Sequence, residues 1–343
     1  MIVVRTPFRL PLGGGGTDLP AYYEKYGGFL ITAAINKYMF LSINQPALVR
    51  RMRLAYSKVE NVALGDYDAI QHDVVRETFR HFKINCPIEV TSVADIGAGT
   101  GMGSSSSYTV GLLNGLNAMM RRHLPVQELA EEACLVEMEL AKKPVGKQDG
   151  YAAAFGGIIA MEISKDGKVD VQRLQIHEET IRELESRLLM FYTGIQRDAS
   201  EILAEQGQKV QVTEEAASAA MHRIKEIGRA SKTAMEGGDI TALGELMNEH
   251  WLTKKRVSTK MTNPDIDRWY DAGMANGALG GKVMGAGGGG FLLFCAAPGQ
   301  RTNLRVALEA EGLQYMDFRF DWDGSRVLVN LSSGNASPVQ SII

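Results

Sequence analysis

The sequence predicts an α+β protein in two domains, on three observations. Its 343 residues exceed what one compact core ordinarily holds, and 45% of them are apolar, enough to fill two. Up to about Gly157, strand-like and helical patterns are mixed. From about Ala199 to Gly277 almost nothing reads as strand, and β patterns return only after that.

Taken in order, Met1-Ile2-Val3-Val4-Arg5 enters a strand directly. Met39 to Ile43 and Met52 to Tyr56 read as two more, and Asp68 to Phe82 has helical spacing. Pro87 to Val93 is a strand, followed by a helix marked by apolar Val110, Leu113, Leu116 and Met120. Leu129, Ala133, Val136 and Leu140 mark another helix, which stops near Pro144. Gly157 to Ile163 and Leu188 to Tyr192 are strands. Beyond the helical block, Gly281 to Ala296 and Tyr315 to Leu331 are β segments around a helix near Asn303 to Glu311. The halves join between Gly157 and Arg187, which predicts domains of 1–170 and 171–343. The polar Ser332 to Pro338 reads as a loose tail, and no repeat recurs at solenoid periods.

Composition narrows the partners. A formal charge of −3 without long charged blocks argues against nucleic acid or an anionic membrane and leaves a small ligand. No apolar run approaches the ~18 residues of a membrane span, so a cytoplasmic protein is expected. Cys86, Cys134 and Cys295 have no metal-ligand spacing, suit a reducing compartment and read as packing residues. Met102, Met119, Met120, Met138 and Met284 read as core filling. His72, His81 and His250 lack metal spacing and His177 lies in a charged stretch, so none is a catalytic candidate.

Four segments carry chemistry. Gly97-Ala98-Gly99-Thr100-Gly101-Met102-Gly103 runs into Ser104-Ser105-Ser106-Ser107 between a strand and a helix, the layout of a phosphate cradle. It lacks the Gly-Lys-Ser or Gly-Lys-Thr of a Walker loop, so positive charge must come from elsewhere. Gly285 to Gly290 matches Gly-x-Gly-x-x-Gly, but it continues as the strand Phe291-Leu292-Leu293-Phe294, against a dinucleotide site. Either cluster alone would also serve a hairpin or a tight crossover. Arg5 to Pro20 gathers cations, four glycines and Asp18 into what reads as a substrate loop. Lys147-Gln148-Asp149-Gly150-Tyr151 sets an acid beside an amide, with Asp149 read either as a helix cap or as a catalytic group.

In this order the four segments resemble those of the GHMP kinases, and the resemblance spans nearly the whole chain. Pro7 to Asp18 is similar to that family's N-terminal motif, Gly97 to Ser106 to its central Gly/Ser motif, and Lys282 to Gly290 to its C-terminal glycine motif. Gly97, Met102, Met284 and Gly15-Gly16 depart from the usual proline, leucine, threonine and Glu-His. The last departure turns the resemblance away from galactose. Gly146 to Gly157, with the early Gly-Gly-Gly-Thr-Asp, most resembles the D-glycero-D-manno-heptose 7-phosphate kinases and their fucokinase-like relatives.

The resemblance implies an N-terminal domain like ribosomal protein S5 domain 2 and a ferredoxin-like C-terminal domain with added helices. It implies ATP and Mg²⁺, with Gly99, Gly101, Met102, Gly103, Ser104, Ser105 and Ser106 on the nucleotide, and Ser105 and Glu139 on the metal. Glu137 lies close by as the alternative to Glu139. Asp149 would orient the sugar hydroxyl and accept its proton late in the transfer, with Arg9 stabilising the moving phosphoryl group. Gly15, Gly16, Thr17, Asp18, Gln148, Tyr151, Gly287 and Gly288 are the expected substrate contacts. A phosphorylated sugar would also need cations, and Arg197, Lys254 and Lys255 are the candidates. The run Lys254-Lys255-Arg256 equally suits a solvated helix face, although Trp251 and Leu252 beside it favour partial burial.

The implied reaction is phosphorylation of the anomeric hydroxyl of heptose 7-phosphate, feeding nucleotide-activated heptose for surface polysaccharide. A fucose- or galactose-like sugar and an isoprenoid alcohol are alternative acceptors, and a non-catalytic ligand sensor is the alternative of another class. A homodimer is left open.

Overall fold

The computed structural model describes residues 1–196, 215–257 and 261–331. The expected tail from Ser332 and the candidate Arg197 lie outside the described residues. The first sheet begins with a long antiparallel pair, β1 (Ile2–Gly13) and β2 (Gly28–Asn44), joined through the short helix α1 (Pro20–Tyr26). Alternate β1 residues Phe8, Leu10 and Leu12 are buried. β3 (Met52–Ala55) and β4 (Val59–Val62) form a hairpin, and α2 (Asp73–His81) precedes β5 (Ile88–Ala94).

Four further elements carry the chain around the site: α3 (Ser104–Met119), α4 (Val126–Cys134), a π turn (Leu135–Leu140) and α5 (Gln148–Phe155). β6 (Ile158–Ile163) and β7 (Val169–Arg173) then extend the sheet. Its order is β12-β1-β2-β5-β3-β4, with β6 beside the first half of β2 and β7 beside β6. β2 is long enough to pair with β6 through one half and with β5 through the other.

After α6 (Glu178–Arg187) and β8 (Leu188–Tyr192) come the helices α7 (Glu215–Glu236), α8 (Ile240–Lys254) and α9 (Pro264–Ala275). β9 (Ala278–Val283), β10 (Phe291–Ala296), α10 (Arg301–Ala310) and β11 (Gln314–Met316) complete the second sheet, and β12 (Arg326–Asn330) ends the description. The second sheet is ordered β11-β8-β10-β9, which in chain order is fourth, first, third, second. That is the ferredoxin-like arrangement, with three helices among the described residues of its first crossover where the plain motif has one.

Two sequence expectations are corrected here. Arg5 to Gly13 is strand, because Leu10 and Leu12 alternate into the core despite two prolines, and only Gly14 to Leu19 is left as loop. β12 pairs with β1 and therefore belongs to the first sheet, and the expected division at 170 runs through β7. The core is continuous between the sheets, since Met190, Leu243, Met247 and Leu293 share one cluster with Phe8 and Leu30. Among the described residues no helix is long and apolar enough to cross a membrane.

Candidate active site

A cleft of about 1100 Å³ opens where the two sheets meet, and all four chemistry-bearing segments contribute to its wall. Its centre is Arg9. As a strand residue opposite Ala34 it has a fixed backbone, and only 6% of its side chain is exposed. Its Nε donates to Asp149 Oδ1 at 2.6 Å, Nη2 to Asp149 Oδ2 at 3.0 Å, and Nη1 to the Gly101 carbonyl at 2.6 Å. This paired, charge-assisted contact fixes the carboxylate plane. Asp149 stands in the first turn of α5, where negative charge is favoured, and is a quarter exposed toward the cleft. It caps nothing, since Lys147 holds the N-cap position.

One wall of the cleft is built on α3. Gly103 precedes it with φ +75°, and no side chain caps the helix, so the amides of its first turn face the cleft unpaired by a cap. A Cβ at Gly103 would lie 3.0 Å from Asp149 Oδ2, which is how closely the cradle and the acid meet. The two glycine clusters touch at Gly101 and Gly285, where a Cβ on Gly101 would stand 2.7 Å from the Met284 carbonyl oxygen. Ser107 ties the helix to β1 by donating to the Pro7 carbonyl at 2.8 Å. Met102 itself is buried and meets the site only through its carbonyl, which accepts from Arg9 N at 3.3 Å.

Ser105 Oγ donates to Glu137 Oε1 at 2.7 Å and Ser106 Oγ to Oε2 at 2.5 Å, so the acid beside Ser105 is Glu137. Glu139 is exposed. The expected Glu139 is thereby corrected by position: Glu137 stands four residues after the buried Ala133, on the inward face that α4 carries into the π turn. Burial raises the Glu137 carboxyl above its usual range, opposed by the two hydroxyls and by Lys143. Lys143 Nζ donates to Ser105 Oγ at 3.1 Å and pairs with Asp73 at 3.3 Å. A hydroxyl beside one carboxylate is a donor set that fits Mg²⁺, which takes few protein oxygens and completes its shell with phosphate and water.

From the loop after β1 and the start of α5, Gly15, Gly16, Asp18 and Gln148 also line the cleft. Asp18 is buried, with Oδ1 accepting from Gly16 N and Oδ2 from Gln148 N, each at 3.0 Å. It thereby binds the loop to the start of α5. Burial raises its carboxyl, which those backbone amides oppose.

Other expected contacts are elsewhere. Thr17 is buried with its hydroxyl 2.8 Å from the Gly14 and Phe29 carbonyls, and Tyr151 is a core residue whose hydroxyl meets Gln127. Gly287 and Gly288 pack on Met261, with Gly288 N donating to its carbonyl. Lys255 pairs with Asp267 at 3.1 Å beside the Trp251 ring, while Lys254 does reach the cleft and donates to the Gly285 carbonyl at 3.1 Å. Lys143, His250 and Lys282 are among the lining residues that the sequence reading did not assign to the site. Lys282 heads the second glycine cluster and His250 lies one turn before Lys254, and those positions were the only signal available.

Known proteins are similar to this chain in sequence and fold. The family described as GHMP kinases N terminal domain matches residues 68–157, and the one described as GHMP kinases C terminal matches 231–312. The chain is 30% identical to a D-glycero-alpha-D-manno-heptose 7-phosphate kinase of Campylobacter jejuni, over 94% of this chain and 97% of that one. A D-glycero-D-manno-heptose 1-phosphate kinase from Bacteroides thetaiotaomicron superposes with a TM-score of 0.79 at 27% identity, covering 97% of this chain and 100% of its own. An L-fucokinase/L-fucose-1-P guanylyltransferase of Bacteroides fragilis is 24% identical over 85% of this chain and 34% of its own.

Proposed function

The chain belongs to the GHMP kinases, ATP-dependent enzymes, and from that premise we propose that it phosphorylates the anomeric hydroxyl of D-glycero-D-manno-heptose 7-phosphate, giving the 1,7-bisphosphate. The observation that carries the reading is the Arg9–Asp149 pair, set 2.6 Å apart at the mouth of an uncapped helix. Phosphoryl transfer asks a protein for alignment and charge neutralisation more than for covalent work.

The amides at the start of α3 receive the ATP phosphates, with Lys143 beside them. Ser105 and Glu137 are the residues that would hold Mg²⁺, which supplies charge neutralisation on the phosphate oxygens. Asp149, its plane fixed by Arg9, orients the sugar hydroxyl and takes its proton once the new P–O bond is under way. Arg9 faces the transferring group with the guanidinium edge that Asp149 leaves open. Gly15 and Gly16, without side chains, let the sugar ring approach the loop that Asp18 secures. The similarity to heptose kinases over nearly the whole chain favours heptose among sugars, and the early Gly-Gly where galactokinases have Glu-His agrees with it.

A panel of acceptors with ATP, followed by phosphorus NMR of the product, tests this. Heptose 7-phosphate is expected to give the highest kcat/KM, with the new phosphate on the anomeric carbon. Faster transfer to fucose, galactose or mevalonate would replace the acceptor, and absence of transfer to every alcohol despite sugar binding would favour a sensor.

A further inference from the structure

The cleft has a cationic floor that the transfer chemistry does not use. α8 contributes His250 and Lys254, four residues apart and so on one face, and β9 contributes Lys282. They come together because α8 lies directly on β9: a Cβ on Gly280 would collide with the Gly244 carbonyl oxygen. Lys282 is 4% exposed, and among the described residues no carboxylate pairs with it. His250 is 2% exposed, and among the described residues neither ring nitrogen has a hydrogen-bond partner.

Burying an uncompensated ammonium and an unpartnered imidazole is costly, and such groups persist where a ligand completes them. The electrostatics agree. Burial, then Lys254 and Arg9, hold the Lys282 ammonium well below its usual range, and burial, then Lys282 and Lys254, do the same to the imidazole. A dianion entering here would reverse both.

The nucleotide does not need this floor. Its phosphates have the α3 amides and Lys143, and Arg9 is matched by Asp149. We propose that Lys282 and His250, with Lys254 beside them, seat the acceptor's own phosphate ester, so that this floor selects phosphorylated sugars over free ones. The ammonium groups and one imidazole N–H donate to the ester oxygens, as charge-assisted contacts do. The proposal rests on the reading that the acceptor is a sugar phosphate.

Calorimetry without nucleotide, using D-glycero-D-manno-heptose 7-phosphate and the unphosphorylated heptose, tests it. The native protein is expected to prefer the ester by roughly 100-fold, and Lys282→Met and His250→Gln each to cut that preference to below about 10-fold. Affinity for a non-hydrolysable ATP analogue should stay within about 3-fold of native. Lys282→Met should also melt several degrees higher, since it removes a buried charge. Lys254→Met, at a less buried position, provides a third variant with the same expected loss. Variants that keep the native preference overturn the seat and leave the acceptor reading standing. Equal loss of ATP-analogue affinity would assign these cations to the donor and also overturn it. A native protein indifferent to the ester would overturn the acceptor reading itself, and the seat with it.

Discussion

Asp149 and Arg9 form a unit in which one residue positions the other, so their removal should affect turnover more than binding. Asp149→Asn is expected to lower kcat by about 10³-fold while the KM for ATP changes little, measured by steady-state kinetics. A variant with near-native turnover would remove the acid from the mechanism. At the metal position the contrast is between neighbours: Glu137→Gln should cost roughly 10²-fold or more in kcat, and the exposed Glu139→Gln should stay within about twofold. His250 adds a pH dependence. Its folded value is depressed below the usual 6.5, so as pH falls through 6.5 the unfolded chain takes a proton that the folded one refuses. Stability therefore drops on acidification, by at most about 1.4 kcal/mol per pH unit from this group. Melting curves of His250→Gln between pH 7 and 5 should be flatter than native by that contribution. At this scale Arg9, Asp18, Asp149 and the Gly/Ser cradle, which the structure brings to one cleft, were singled out in the sequence because each stands in a segment that resembles a family motif. Tyr151 and Thr17 were misassigned because a motif position does not say whether a side chain turns toward cleft or core. His250 and Lys282 were missed because their meaning is a shared burial that only the packing of α8 on β9 creates.

Between elements, the site depends on contacts that tolerate no side chain. Gly101 combines φ +77° with a Cβ position 2.7 Å from the Met284 carbonyl oxygen. Gly101→Ala should therefore destabilise the protein by about 1–3 kcal/mol and push the two glycine clusters apart, which denaturant unfolding and the KM for ATP would register together. Unchanged stability would mean that the junction is soft. Helix and strand identities came through well in the sequence wherever apolar periodicity was long, as in α3, α4 and β8. Two local features did not. The π turn leaves no signature in hydrophobic spacing, although Glu137, four residues after the buried Ala133, lies on the inward face that meets Ser105. The continuation of β1 beyond Arg5 was hidden by its two prolines and its glycine-rich end, although Pro7 and Pro11 are tolerated within the β1–β2 pairing near its irregular registers.

For the whole molecule, the two-sheet architecture was legible and its closure was not. Nothing in residues 326–330 announces that they return across the chain to pair with β1, since pairing partners distant in sequence leave no local trace. A chain ending after Asp323 would lack β12 and expose the edge of β1, and with it the strand that holds Arg9. Such a variant is expected to melt lower and to aggregate, read by light scattering during heating. A truncated form as stable and monodisperse as the native chain would show that β12 is dispensable.

The pairing of the first strand with the last also sets a timetable. β1 is synthesised before β12, and the other described strands and helices lie between the two. Until β12 has been made, the outer edge of β1 lacks the neighbour that covers it in the folded protein.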